Sequence, residues 1–342
     1  MLGGKMRPFV YMLKLQQKFL YAIKQNHLVF KGDSVLLGIS AGPDSSALLS
    51  LFEEIQKKFD LKLIIAHFNH KTRGSESDED EKFVRNLAKQ KKICSIFGKR
   101  IKKSNKLSEN KARKIRYSFF SRALKKESAN YLALAHNADD QSETVLLHFL
   151  RGASIQGLAG MQYKQAKIIR PLLGCTKEEI LDYLKIKKIK YRIDSSNLKT
   201  KYKRNFIRLK LLPLIKKEIN PGISKTLLKT AENMKRLQNY LQQETNKAWK
   251  AVVDNTDITP ANKKARSAVL NLSKFIQLNE FLQLEILKMA ILKVKKNLKN
   301  IYSYHLEEIL EIIKSDKKNA EKNIGMICII KSKKDIIISK NH

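Results

Sequence analysis

Paired cysteines are missing from this sequence. Cys94, Cys175 and Cys328 stand far apart with no C-x-x-C pair, which argues against a disulfide framework, a zinc site or an iron–sulfur centre built by this chain alone. Long apolar runs are missing as well, since no segment approaches the ~18 residues of a membrane span. Residues 1–14 are short and basic, without the apolar stretch and small-residue cleavage site of a secretory leader. Met1, Met6 and Met12 each offer a start, and the expectation is a soluble, cytoplasmic protein with no membrane partner. Acidic residues are scarce. Against 69 Lys+Arg stand 32 Asp+Glu, a formal net charge of +37. Self-repulsion of that size calls for a polyanionic partner, nucleic acid first and anionic membrane second. A genome that inflates lysine everywhere would give the same excess with no partner at all.

What is present suffices for two or three domains: 342 residues, 43% of them hydrophobic. The first half alternates strand and helix. Residues 34–40 (SVLLGIS) read as a buried strand, followed by a helix over 44–59 with apolar Leu48, Leu51, Phe52 and Ile55. A second strand is expected over 61–68 and short ones over 93–97 and 131–135. The acidic run Ser77-Asp78-Glu79-Asp80 reads as a helix start, and a long basic helix is expected over 108–126. This order predicts an α/β fold with a doubly wound parallel sheet, which binds ligands at the carboxyl ends of its strands. Further on, Thr176-Lys177-Glu178-Glu179 forms a capping box, and a basic helix is expected over 203–219. Asn220-Pro221-Gly222 breaks the chain. Three regions follow: a helical extension over 1–30, a catalytic domain over 31–220, and a basic, mainly helical domain over 221–342 that ends in a small hairpin (326–330 with 335–339). No internal repeat is evident.

The segment Ser40-Ala41-Gly42-Pro43-Asp44-Ser45 lies between the first strand and its helix. Such a loop presents backbone N–H groups and hydroxyls at a positive helix end, which suits phosphate. It is neither a Walker A loop nor G-x-G-x-x-G. It resembles the S-G-G-x-D-S pyrophosphate loop of N-type ATP pyrophosphatases, with Ala41 in place of a glycine. If that position needs a positive φ, Ala41 is strained.

Five further blocks follow in order: Ala66-His67-Phe68-Asn69-His70-Lys71-Thr72-Arg73; Ala112-Arg113-Lys114-Ile115-Arg116-Tyr117-Ser118-Phe119-Phe120; Ala135-His136-Asn137-Ala138-Asp139-Asp140-Gln141-Ser142-Glu143-Thr144; Arg151–Leu158; and Asp194-Ser195-Ser196-Asn197 before Arg204-Asn205-Phe206-Ile207-Arg208. Each has a plain reading of its own. Asp139 and Asp140 suit the first turn of a helix, single histidines such as His67, His70 and His136 are usually structural, and Arg113 and Arg116 fit a solvated face. His148, beside Leu146, Leu147 and Phe149, reads as structural. Taken together, the blocks resemble the tRNA(Ile)-lysidine synthetase family over roughly residues 30–215, with the adenine nucleotide alpha hydrolase-like, PP-loop fold.

That resemblance implies an enzyme that adenylates C2 of the wobble cytidine in the CAU anticodon of tRNA(Ile), then attaches free lysine there. ATP, carrying Mg²⁺ with it, would be held by Ser40, Ala41, Gly42, Pro43, Asp44 and Ser45, and no metal site of the chain's own is implied. Asp139, Asp140, His136, Arg116 and Arg204 are the expected catalytic residues, the two acids serving either the lysine amine or Mg²⁺. Arg113 and Arg208 are expected on the tRNA, although Arg204 and Arg208 equally suit the triphosphate. Longer members carry a further C-terminal domain, which this chain is expected to lack, and no obligatory protein partner is implied. The alternatives are a PP-loop tRNA thiolase, which the isolated cysteines disfavour, and a non-catalytic RNA-binding module on the same scaffold.

Overall fold

The computed structural model describes residues 3–71, 74–100, 109–192, 203–253 and 267–341. The chain divides into two compact units, Met1–Lys235 and Arg236–His342.

In the first unit, α1 (Gly3–Gln25) leads into β1 (Ser34–Gly38), α2 (Pro43–Phe59), β2 (Lys62–Asn69), α3 (Ser75–Gln90), β3 (Cys94–Lys99) and α4 (Glu109–Lys126). Then come β4 (Tyr131–Ala133), α5 (Ala138–Phe149), the single turn α6 (Ile155–Leu158), and two minimal strands, β5 (Lys164–Gln165) and β6 (Ile168–Ile169). After α7 (Lys177–Ile186) come α8 (Lys203–Phe206), a wide π turn (Ile207–Leu211) and α9 (Leu212–Glu218). The six strands form one sheet in the order β3-β2-β1-β4-β6-β5. All neighbours run parallel except the edge pair β5–β6. Strand order reverses between β1 and β4, and this is where an open α/β sheet leaves a ligand crevice.

Alternation along the strands explains why both faces are covered. Val35, Leu37 and Ile39 join Phe19, Leu48, Phe52 and Tyr183 in one core, while Leu36, Ile64 and Leu132 face Phe119, Phe120 and Ala123 of α4. Each such buried side chain contributes about 1.5–3 kcal/mol. The N-terminal helix, expected as an extension, supplies Leu15, Phe19 and Ile23 to the first core.

Local details depart from the sequence reading in two places. Helix α3 starts at Ser75 behind Gly74, whose φ of +56° makes it a backbone cap, so Ser77–Asp80 lie inside the helix instead of opening it. The single helix expected over 203–219 is interrupted by the π turn, a feature frequent at functional sites.

Helix α10 (Ile223–Val252) contains the boundary between the units, fifteen residues past the Asn220-Pro221-Gly222 break. The second unit continues with β7 (Ser267–Asn271), α11 (Leu272–Ile276), α12 (Glu280–Lys295), α13 (Ser303–Lys314), β8 (Ala320–Ile324), β9 (Ile327–Lys331) and β10 (Asp335–Lys340). The expected hairpin is β9–β10, but β8 and β7 extend it to an antiparallel sheet ordered β7-β10-β9-β8. Ile327, Ile329, Ile336 and Ile338 pack with Ile286 and Ile291 of α12 and Ile309 and Ile313 of α13. Among the described residues no helix is long and apolar enough to cross a membrane.

Candidate active site

The loop between β1 and α2 is built to leave donors exposed. Gly42 is the N-cap of α2 and offers no side chain to cap it, and Pro43 at the first helical position has no N–H. The N–H groups of Asp44 and Ser45 therefore lack intrahelical acceptors by position. Ser45 braces the loop: its hydroxyl donates to Gly42 O at 2.9 Å and accepts from Ser40 N at 3.2 Å. Ala41 has φ +70° and is fully buried; its carbonyl accepts from Arg192 N at 2.9 Å. A non-glycine residue there costs about 1 kcal/mol in strain. At the end of β1, a Cβ added at Gly38 would meet Leu134 Cδ2 at 2.8 Å, so any larger residue there would displace that leucine side chain.

This loop opens into a cavity of about 990 Å³ at the carboxyl edge of the sheet. Strand β2 brings His67, Asn69 and His70 to its wall, and the end of β4 brings His136. His67 Nδ1 lies 2.8 Å from Ile39 O. Burial pushes the His67 imidazole below its ordinary range. His70 is held down to about 4 by burial and then by the Arg116 and Arg100 guanidiniums. Burial also depresses His136, outweighing the nearby Asp140 carboxylate. All three imidazoles are therefore neutral near pH 7. Nε2 of His67 and Nδ1 of His70 and His136 are buried and bond to no described protein group.

Helix α5 starts at the same edge with a reciprocal cap: Asp140 N donates to Asn137 Oδ1 at 3.0 Å, and Asn137 N donates to Asp140 Oδ2 at 3.1 Å. The other Asp140 oxygen accepts from Arg204 Nη2 and Arg208 Nη2, both at 3.0 Å. Glu143, one turn on and 1% exposed at its side chain, takes Nε of both arginines. Two largely buried acids and two guanidiniums thus form a closed set, the arrangement in which removing one partner costs about 3–5 kcal/mol. Arg192 forms another fork, with Nε on Asp80 at 2.7 Å and Nη2 on Glu79 at 2.6 Å, tying α3 to the Ala41 carbonyl.

Lys177 completes the wall. Its ammonium reaches both oxygens of Asp44 at 2.8 and 2.7 Å, and its backbone N–H donates to Asp139 Oδ2 at 2.8 Å. Asn137 Nδ2 also donates to Asp44 Oδ1, at 3.1 Å.

A loop of exposed N–H groups facing acids, neutral imidazoles and guanidiniums suits phosphoryl chemistry. The PP-loop domain family matches residues 12–215. The tRNA(Ile)-lysidine synthase of Clostridioides difficile (strain 630) is 32% identical over 331 residues, 95% of this chain and 70% of that protein. The chain belongs to the tRNA(Ile)-lysidine synthase family. The family is one of ligases with an ATP-utilising PP-loop domain. The synthase of Chlorobaculum tepidum is 35% identical over 286 residues, 82% of this chain and 84% of that protein. The chain spans about two thirds of the length of the clostridial synthases it matches. The U34-tRNA thiolase NcsA of Methanococcus maripaludis shares the fold, with TM-score 0.55 and 17% identity over 66% of this chain and 79% of its own.

Of the residues that pointed to the lysidine synthase family, Ser40, Gly42, Pro43, Asp44, Ser45, Arg116, His136, Asp139, Asp140 and Arg208 line the same cavity. Ala41 lies buried beneath the loop, and Arg204 stands behind Asp140 and Glu143. Arg113 is not on the cavity wall; its guanidinium lies over the Tyr117 ring at 5.0 Å. His148, read as structural, has its Nδ1 2.7 Å from Gly157 O. Thr72, Arg73 and the Asp194-Ser195-Ser196-Asn197 block lie outside the described residues. Among the described residues no cysteine lines the cavity: Cys94 is exposed on β3, Cys328 belongs to the second unit, and burial pushes the Cys175 thiol up to about 12. Sequence reasoning missed Lys177, Glu143 and Arg192 as site residues. Lys177 was hidden by its own cap, because Thr176 and Glu179 account fully for that segment as a helix start.

Proposed function

We propose that this chain ligates free lysine to C2 of the wobble cytidine in the CAU anticodon of tRNA(Ile), through an adenylated tRNA intermediate. In the first step the cytidine C2 oxygen attacks the α-phosphorus of ATP. The bond to the β-phosphate oxygen breaks, and pyrophosphate leaves with the electron pair. In the second step the neutral ε-amine of lysine attacks C2, the C2–O bond breaks, and AMP departs. The observation that carries the reading is convergence: the pyrophosphate loop and the His136–Asp140 segment, with Asp139 and Asp140, come from two separate strand–helix turns onto one cavity at the strand-order reversal.

The residues divide the work. Ser40–Ser45 offers N–H groups and hydroxyls to the polyphosphate. Asp140 has one oxygen on two arginines and the other on its own cap, so it positions Arg204 and Arg208. Asp139 spends one oxygen on Lys177 N and faces the cavity. It is the acid suited to hold the lysine ammonium and then take its proton. Among the described residues no three His, Cys, Asp or Glu side chains could hold a metal by themselves. Mg²⁺ carried on a nucleotide uses one or two carboxylates plus phosphates; Asp44 is the carboxylate that would hold it. When bound, the ion would neutralise charge on the polyphosphate.

The deciding experiment incubates the protein with ATP, labelled lysine and bulk tRNA. The expected result is label in RNA with equimolar AMP and pyrophosphate. AMP release without label in RNA would overturn the lysine assignment while leaving the ATP chemistry standing.

A further inference from the structure

Among the described residues, Lys177 is the cation of the cavity that bonds to the phosphate loop's own acid. Its backbone is fixed three ways. It sits at the first position of α7, inside the reciprocal cap of Thr176 and Glu179. Its N–H is held by Asp139. Glu179 is in turn gripped by Lys18 of α1 at 2.8 Å; burial alone would raise that carboxyl, but Lys18 and the Thr176 N–H outweigh it and hold it low. The side chain, by contrast, is a flexible four-carbon stem ending in a point charge with rotatable donors.

Asp44 is where this charge matters. It lies in the first turn of α2, against the N–H groups that receive phosphate, so a polyphosphate there meets a carboxylate head-on. A cation must lie between them. A nucleotide-borne Mg²⁺ would compete with Lys177 for this carboxylate. Asp44 keeps one further partner, Asn137 Nδ2, that does not depend on Lys177, so its carboxylate stays aimed when the ammonium leaves.

We propose that the Lys177–Asp44 pair is an exchangeable counter-ion switch of the phosphate loop. Asp44 gives up the ammonium for the metal of the nucleotide, and Lys177 carries its charge to the β- and γ-phosphates that leave as pyrophosphate. As the bond from the α-phosphorus to the β-phosphate oxygen breaks, the electron pair settles on that oxygen. The Lys177 ammonium meets the growing charge there, and no proton has to move. The inference rests on the ATP-cleaving step proposed above and adds the residue that serves it.

The test compares wild type, Lys177→Met and Lys177→Arg. The first readout is binding of a non-hydrolysable ATP analogue titrated with Mg²⁺, which needs neither tRNA nor turnover. Freed from competition, Lys177→Met is expected to half-saturate with Mg²⁺ at a concentration about two- to fivefold lower, the scale of a half-exposed ion pair. The second readout is the single-turnover pyrophosphate burst at saturating ATP. It is expected to fall on the order of 100-fold in Lys177→Met, as when one charge-stabilising donor is removed from a transition state. Lys177→Arg keeps the charge and is expected to recover most of the burst. An unchanged or raised Mg²⁺ midpoint in Lys177→Met overturns the exchange, and an unchanged burst overturns the role on the leaving group. If wild type itself gives no tRNA-dependent burst, the ATP-cleaving reading fails, and the Mg²⁺ titration still decides whether Lys177 and the metal compete.

Discussion

Apart from Arg236 and Arg266, every arginine of the chain belongs to the unit that ends at Lys235, whereas lysines run through both units. Several arginines of the first unit are pinned by carboxylates: Arg192 by Asp80 and Glu79, Arg204 and Arg208 by Asp140 and Glu143, Arg85 by Glu81. In the second unit, lysines make surface pairs such as Lys288–Glu285 and Lys322–Glu308, or rest on an aromatic face as Lys293 does over Trp249. The difference has a physical meaning. A guanidinium fork fixes geometry, which a reacting centre needs, and a mobile ammonium supplies charge without fixing position, which suits a phosphate backbone. Lys177 differs from the arginine forks of the cavity in holding Asp44 through an ammonium with rotatable donors on a flexible stem.

The contrast breaks most sharply at Asp44. Asp44→Ala removes the acid that both Lys177 and Asn137 address, without touching either core of the first unit. Pyrophosphate and AMP formation are expected to fall by about 10³-fold or more, the range for loss of an essential charged group. The circular dichroism spectrum and tRNA affinity should stay near wild type. Normal turnover in this variant would overturn the pyrophosphate-loop assignment.

Next in size is the division between Asp139 and Asp140. Asp139→Asn keeps a carbonyl oxygen for Lys177 N but loses the charge and the proton acceptor. A charge-assisted bond to the lysine ammonium is worth about 1.5–3 kcal/mol, so the lysine KM should rise about 10- to 150-fold. Adenylated tRNA should accumulate while the pyrophosphate burst persists. Asp140→Asn releases one oxygen's hold on Arg204 and Arg208 and should impair both steps. A lost burst in Asp139→Asn would assign that acid to the nucleotide's metal instead.

How far these distinctions could be read from the sequence depended on what each segment's local grammar already explained. The strand–loop–helix units around Ser40–Ser45 and His136–Asp140 were legible because an apolar run, a polar turn and a helical period follow one another without conflict. Strand β7 was not, because five residues, SAVLN, give too few alternations to stand out against a helical neighbourhood. The two-residue strands β5 and β6 carry no period at all. At the site, the acids of α5 were legible and their partners were not. Asp140 meets Arg204 and Arg208 across more than sixty residues, a pairing that the local period of either helix cannot signal. Glu79 and Asp80 looked like helix-capping acids; the fold uses them to hold Arg192 against the phosphate loop.

The second unit is tested by salt. Lys296, Lys299 and Lys333 are exposed in the second unit. Replacing all three by Gln should reduce the dependence of log affinity on log salt by about 0.7–0.9 for each phosphate no longer neutralised. Affinity should weaken evenly across tRNA species, while the pyrophosphate burst at saturating tRNA stays unchanged. An unaltered slope would mean that the charge of this unit reflects composition, not grip.

The smallest effect is expected where the first unit looks most strained. Ala41 holds φ +70°, so Ala41→Gly removes a backbone penalty of about 1 kcal/mol. The same change takes a buried methyl out of the core, a loss of about 0.8 kcal/mol, and frees the unfolded chain by about 0.4–1 kcal/mol. These terms nearly cancel, leaving a net change within about 1 kcal/mol and a shift in Tm of no more than about 2–4 °C. The burst rate should also hold, because the loop is braced by Ser45 on Gly42 and by Arg192 on the Ala41 carbonyl, none of which involves the Ala41 side chain. Ala41→Val is the sharpening control: a β-branched residue is a true outlier at positive φ, so it should lower Tm well beyond that range and slow the burst. If Ala41→Gly instead slowed the burst while Tm held, the methyl itself would be setting the loop's geometry, and fixed position in the first unit would owe as much to strain as to its arginine forks.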